Sequence, residues 1–325
     1  IGFGMDVPGE AFPDPVKELG EELAEEEPDS VRTMADIFAE ASIWGVGSGK
    51  DKAEKAFQEL LDSGQVAADY ICEEELGTKS SLRTRTIKRF SEKKPELMMP
   101  CLFEALHDDE DIRRRGNAVY LLGEIGDTAA VDSLLPLLEI KRTRIGAISA
   151  LGKIGSSRAV PAISEWADAD KQAVRYMVAK SLALIADQRS IPTLLSSLGD
   201  DYMTVRVAAQ RGLVKMYSAS TDRMISALSR AGKPEIFHLL RAIPAGIAKM
   251  EDDEDLDAEE TAIVKASARV AILPLIEHGD PAVRGHAVRA LGRLGGEETM
   301  AELAEEFELE TDPFVRDMYR QALRE

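Results

Sequence analysis

Seven arginines recur along this chain at nearly constant spacing: Arg83, Arg115, Arg144, Arg175, Arg206, Arg284 and Arg316. With His238 filling the same slot, the steps are 32, 29, 31, 31, 32, 46 and 32 residues. A column of guanidinium groups could grip a row of carboxylates or phosphates, because each presents a planar fork of donors. The same column could instead be structural, with one arginine per layer bonding to turn carbonyls or to turn acids such as Asp127 and Asp187. The structural ladder is the favoured reading for Arg115, Arg144, Arg175, Arg206, Arg284 and Arg316.

Basic groups outside the column point to binding more directly. The runs "RTRTIKRFSEKK" (83–94), "RRR" (113–115) and "KRTR" (141–144) fall in successive periods, so stacking would bring them to one edge. Arg83, Arg85, Lys88, Arg89, Arg113, Arg114 and Arg142 are the candidates for a basic edge that holds phosphates or an acidic protein segment. Neutralisation by the chain's own acids is the competing outcome.

Other local motifs are weaker. "WGVGSGK" (44–50) has Trp44 and Asp51 where a phosphate-binding loop needs glycine and Ser or Thr, and helical pattern precedes it, so it reads as a connection. The acidic run around Asp252, Asp253, Asp255 and Asp257 lacks the glycine and terminal glutamate of a calcium-binding loop, and disorder is the default for it. Trp166 could stack on a ligand from a concave face, or simply pack. Cys72 and Cys101 sit in apolar helical patterns and read as buried thiols in a reducing compartment, with a disulfide as the alternative.

The elements that must position these residues are helices. In "TRIGAISALGKIGSSRAVPAISEWADAD" (143–170), Ile145, Ile148, Leu151 and Ile154 keep helical spacing until Gly155 interrupts them. A second stripe follows through Val160, Ile163 and Trp166, with Pro161 near its start. One unit is therefore helix, turn, helix. Apolar-proline pairs at Met99-Pro100, Val160-Pro161, Ile191-Pro192 and Leu273-Pro274 mark second helices in the same register. The one long step, 46 residues, is explained by the insertion "EDDEDLDAEE" (251–260) between two helices of a unit. A period near 30 with two helices per unit predicts an all-α fold, a right-handed α-solenoid in which each pair buries its apolar faces on its neighbours.

The phrases "VRGHAVRALGRLGG", "RGNAVYLLGEIGD" and "ALGKIGSSRAVPAI" resemble HEAT-like repeats of the phycobilisome lyase type. The resemblance covers about residues 81–325 and is strongest in 112–217 and 281–296. It departs from the family pattern at Arg114, where an apolar residue is usual, and at Pro244, which predicts a kink inside a first helix. The resemblance implies a binding surface, and in some members iron held by repeated His-Glu pairs. None of His107, His238, His278 or His286 is followed by Glu. Residues 1–80 are less regular and read as an acidic helical cap with degenerate repeats, including a short helix opened by Asp14 and Pro15.

Charge varies along the chain. Residues 1–80 carry 6 basic and 20 acidic groups, residues 81–250 carry 26 and 19, and residues 251–325 carry 8 and 20, for a net −19. Such a total disfavours a nucleic-acid partner without excluding it. No apolar run approaches the ~18 residues of a membrane span. The first residues lack the pattern of a signal peptide, so a cytoplasmic location is expected. The chain begins at Ile1 rather than Met, which leaves secretion open.

No nucleophile-base arrangement, dinucleotide fingerprint or metal-ligand spacing occurs, so no cofactor and no metal are expected. The expectation is a non-enzymatic scaffold or adaptor that binds a protein or peptide, with self-association through open ends as a further outcome. Two alternatives stand beside it: a glycosylase-like DNA-binding protein using the basic edge and Trp166 with Asp168 or Asp170, and a chromophore-lyase-type subunit.

Overall fold

A computed structural model of the chain describes residues 32–43 and 48–324. The expected helix at Asp14 and the Trp44 end of the glycine-rich motif lie outside these residues. Among the described residues every regular element is helical and none is long and apolar enough to cross a membrane.

The helices stack in pairs. α1 (Met34–Ala41), α2 (Ser48–Asp62) and α3 (Gln65–Tyr70, continued by a π-turn over Ile71–Glu75) begin the stack. First helices then follow as α4 (Ser81–Lys93), α6 (Ile112–Ile125), α8 (Arg144–Ile154), α10 (Gln172–Ile185), α12 (Met203–Lys215), α14 (Lys233–Glu251), α16 (Pro281–Leu294) and α18 (Pro313–Ala322). Between them lie the second helices α5 (Pro95–Ala105), α7 (Val131–Leu134), α9 (Val160–Ser164), α11 (Ile191–Ser197), α13 (Tyr217–Leu228), α15 (Ala258–Ile272) and α17 (Glu297–Leu309). From α6 to α18 each first helix packs on the next. One hydrophobic cluster runs without a break from Ile37 to Ala322, so the layers share a continuous core.

Local chemistry explains the boundaries. Asp111, Asp257 and Asp312 each accept backbone N–H bonds at the start of α6, α15 and α18. α6 and α8 end on Gly126 and Gly155 in the left-handed conformation, φ 77° and 75°. Ala186 ends α10 at φ 55°, in the slot where α6 and α8 carry glycine. The first helices approach closely through small residues: a β-carbon on Gly123 would lie 2.7 Å from the Cα of Ala150, and Gly212 and Gly292 face Ala183 and Ala322 in the same way.

Two expectations need correcting. Cys72 and Cys101 are joined by a disulfide between the π-turn after α3 and α5, rather than being free thiols. The acidic insertion is ordered, with Asp257 capping α15 and Asp253 accepting a hydrogen bond from the Tyr217 hydroxyl. Pro274 interrupts the second helix α15, which continues as a 3-10 turn over Leu273–Glu277. Pro244 sits inside the continuous helix α14, where it is buried.

Candidate protein-binding face

The column arginines bond to the loops that precede their own helices. Arg144 donates to the carbonyl of Leu138 (2.6 Å), Arg175 to Ala169 (2.8 Å), Arg206 to Asp200 (2.5 Å), Arg284 to His278 (3.0 Å) and Arg316 to Glu310 (2.6 Å). In every case the acceptor lies six residues upstream, which ties the turn between units to the helix it feeds. Arg115 reaches the carboxylate of Asp109 at the same offset.

Two of the arginines also bridge to the next unit as two-pronged forks. Arg175 pairs with Asp200 (2.6 and 3.2 Å) and Arg284 with Glu310 (2.8 and 3.1 Å). These pairs hold Arg175 and Arg284 above the ordinary arginine range through the carboxylate hydrogen bonds, against burial. Hydrogen bonding to Arg284 holds the Glu310 carboxyl below its usual value. The acids named from sequence, Asp127 and Asp187, lie instead at turns inside units, where they cap Ala129 and Arg189. His238 fills the column slot and accepts from Arg206.

Four of the residues proposed for a basic edge are neutralised. Arg83 pairs with Glu75, Lys88 with Glu124, Arg89 with Glu54 at 2.8 Å, and Arg114 with Asp108 at 3.2 Å. Glu124 also takes Lys153; burial pushes its carboxyl up, but the hydrogen bonds from Lys153 and Lys88 outweigh that and hold it below its ordinary range. Arg89 additionally lies 3.8 Å from the ring centre of Phe57. Arg113 and Arg142 are exposed, and Arg85 lines a cavity of about 470 Å³ with Lys50 and Ile43.

Trp166 does not offer a free ring. It lies in the turn after α9, partly buried, with the Arg144 guanidinium 3.4 Å from its ring centre. Asp168 and Asp170 line a cavity with Asp200 and Asp201, so their surroundings are acidic.

A surface that the sequence did not single out runs across the first helices α10, α12, α14 and α16. Between α10 and α12 a trough of about 460 Å³ is lined by Tyr176, Lys180, Ala183, Leu184, Met203, Thr204, Val207, Ala208, Arg211 and Lys215. Met203 is shared with a second trough, about 410 Å³, which includes Pro234, Phe237, Arg241 and His286. Arg241 and His286 continue into a small cleft of about 50 Å³ with Arg289 and Arg293. None of the three is lined by an Asp or Glu side chain.

Apolar groups on this face are open to solvent, Leu184 at 46% and Met203 at 63%. Lys180, Arg211, Arg241, Arg289 and Arg293 are exposed too, and have no carboxylate partner among the described residues. Burial, reinforced by the charges of Arg241 and Arg289, pushes the His286 imidazole below its ordinary value. The available signal was register: Lys88, Lys180, Arg211 and Arg289 each fall five residues after a column arginine.

Comparison with known proteins adds four findings. A profile of HEAT repeats matches residues 99–172, 139–214 and 247–324. The chain is similar to the phycocyanobilin lyase subunit alpha of Nostoc sp. strain PCC 7120, 29% identical over 168 residues, covering 48% of this chain and 59% of the relative. It thus spans about three fifths of that relative's length. Among solved structures, the Kap95:Nup1 complex matches with a TM-score of 0.60 at 14% identity, over 90% of this chain and 46% of that one. The complex of CpcE and CpcF of phycocyanin lyase from Nostoc sp. PCC 7120 matches with a TM-score of 0.37 at 19% identity, over 69% of this chain and 93% of that one. The expectation of a non-enzymatic chain is corrected by the second finding, since the similar protein is a subunit of a lyase.

Proposed function

The chain belongs to the HEAT-repeat family, and from that premise we propose that it works as a protein-binding subunit of a chromophore-lyase-type enzyme. The observation that carries the reading is the 29% identity over 168 residues to a subunit of phycocyanobilin lyase. Stacked repeats bind through extended surfaces, and a subunit by definition works against companions. The first-helix face from α10 to α16 supports this role, because it pairs exposed apolar groups with unneutralised cations on a rigid layer. The glycosylase-like alternative loses its support, as Trp166 is covered by Arg144 and Asp168 and Asp170 face further acids.

Titration with phycocyanobilin, alone and with a companion lyase subunit, tests the reading by visible absorbance. A saturable spectral change that requires this chain is the expected result. Spectra equal to the sum of the separate components in both titrations would overturn it.

A further inference from the structure

We propose that the first-helix face of α10, α12, α14 and α16 is a docking surface for an acidic, amphipathic segment of a partner protein; this rests on the binding role assigned to that face above. The argument begins with an imbalance. The chain holds 59 acidic and 40 basic residues, so a cation placed at random has more carboxylates than cations around it. Elsewhere the chain uses that surplus: Arg269 pairs with both Glu298 and Glu302, and Lys88 with both Glu92 and Glu124. On this face only Lys233 takes an acid, Asp280, and the three adjoining clefts contain no acid among their lining residues.

The unpaired cations are ordered as well as numerous. Lys180 and Arg211 stand at equivalent positions of successive first helices, and Arg289 repeats that position on α16. Packed helices lie about 8–10 Å apart, so Lys180 and Arg211 stand about one pitch apart; on α14 the same position is the buried Ile243, and Arg241, two residues before it, carries the charge. Carboxylates at every third residue of one peptide can match such spacing if the peptide is polyproline II, where three residues per turn and a rise of about 3.1 Å put them on one side about 9 Å apart.

Between the cations lie Leu184, Met203 and Val207, which would take the apolar residues of the same segment. Burial of those groups supplies affinity, while charge sets register and excludes basic competitors.

A nucleic acid fits less well. The first trough is lined mainly by aliphatic and small side chains, and in the second Phe237 is already engaged with His286, tilted at 55° with 4.9 Å between ring centres. Single strands favour open aromatic platforms for their bases. The net charge of −19 also repels a densely charged backbone more than a sparsely charged peptide.

The test is fluorescence polarisation with a labelled peptide of repeating Leu-Glu-Glu units, beside Leu-Gln-Gln and Leu-Lys-Lys controls and a single-stranded oligonucleotide. Only the acidic peptide is expected to bind, with affinity falling about tenfold or more for each of Lys180→Glu, Arg211→Glu and Arg289→Glu. Lys180→Gln and Arg211→Gln, which keep the apolar stems, should give smaller losses, and circular dichroism should show unchanged helix. Arg113→Glu and Arg142→Glu on the other candidate edge should leave binding intact. No binding of the acidic peptide, equal losses at Arg113 and Arg142, or tighter binding of the oligonucleotide would each overturn the proposal. Failure here with a positive phycocyanobilin titration would sink the acidic segment alone and leave the lyase-type reading standing.

Discussion

Arg206 donates from Nε to Nε2 of His238 at 3.2 Å, while Nδ1 of the same ring meets Oε1 of Gln210 at 2.7 Å. The ring can satisfy both only as a neutral imidazole that carries its proton on Nδ1. Burial, with the nearby charges of Arg206 and Arg241, pushes its pKa down from 6.5 to about 4.

That depression makes stability pH-dependent. The unfolded imidazole takes up a proton below pH 6.5 and the folded one only near pH 4, so the contribution is complete above about pH 7 and lost as pH falls toward 4. The full loss is about 3 kcal/mol. Urea denaturation across this window should show it, and His238→Gln should flatten that part of the pH profile; an identical slope in the variant would refute the assignment.

Gly152 faces Ser181 so closely that an added β-carbon would lie 2.5 Å from the serine Cβ and 2.8 Å from its Cα. The Ser181 hydroxyl is held by a bond to the Ile148 carbonyl at 2.9 Å, so it cannot step aside freely. Gly152→Ala should destabilise by about 1–3 kcal/mol despite the better helix propensity of alanine. Thermal denaturation decides, and a stabilised variant would show that the layers can separate without cost.

Ala186 occupies a left-handed position that Gly126 and Gly155 fill in neighbouring units. An L-residue pays about 1 kcal/mol there, so Ala186→Gly should raise stability by about that amount, offset in part by the entropy of the unfolded chain. The comparison is chemical denaturation of the two proteins under one buffer.

The Cys72–Cys101 bond spans 29 residues of sequence. Closing such a loop stabilises by about 3–4 kcal/mol in the chain-entropy account. Reduction should therefore lower the denaturation midpoint, and the untreated protein should show no thiol to an alkylating reagent under denaturing conditions. Two alkylated cysteines before reduction would return the pair to the thiol reading.

The periodic parts of the fold were legible because they repeat. Gly126 and Gly155 end helices where the pattern breaks, and the column of arginines keeps register through seven units. Pairing was not legible, because it depends on what the neighbouring layer carries. Lys88 meets Glu124 of the next layer, nine residues after Arg115; for Lys180 the equivalent next-layer residue, nine after Arg206, is Lys215. The same lysine position is thus neutralised near one end of the stack and left open in the middle. The cysteine spacing held a clue in hindsight, since 29 residues is one repeat step and stacking brings such positions together.

The glycines at the helix crossings separate two jobs that most folds combine. Contact between layers is made at Gly123, Gly152, Gly212 and Gly292, by backbone against small side chains. Arg211, beside Gly212, and Lys180, beside the Ser181 that meets Gly152, face outward and bear none of that contact. The outer residues can therefore be rewritten one layer at a time, so a single scaffold can be retuned to a new partner by local edits that leave its assembly untouched.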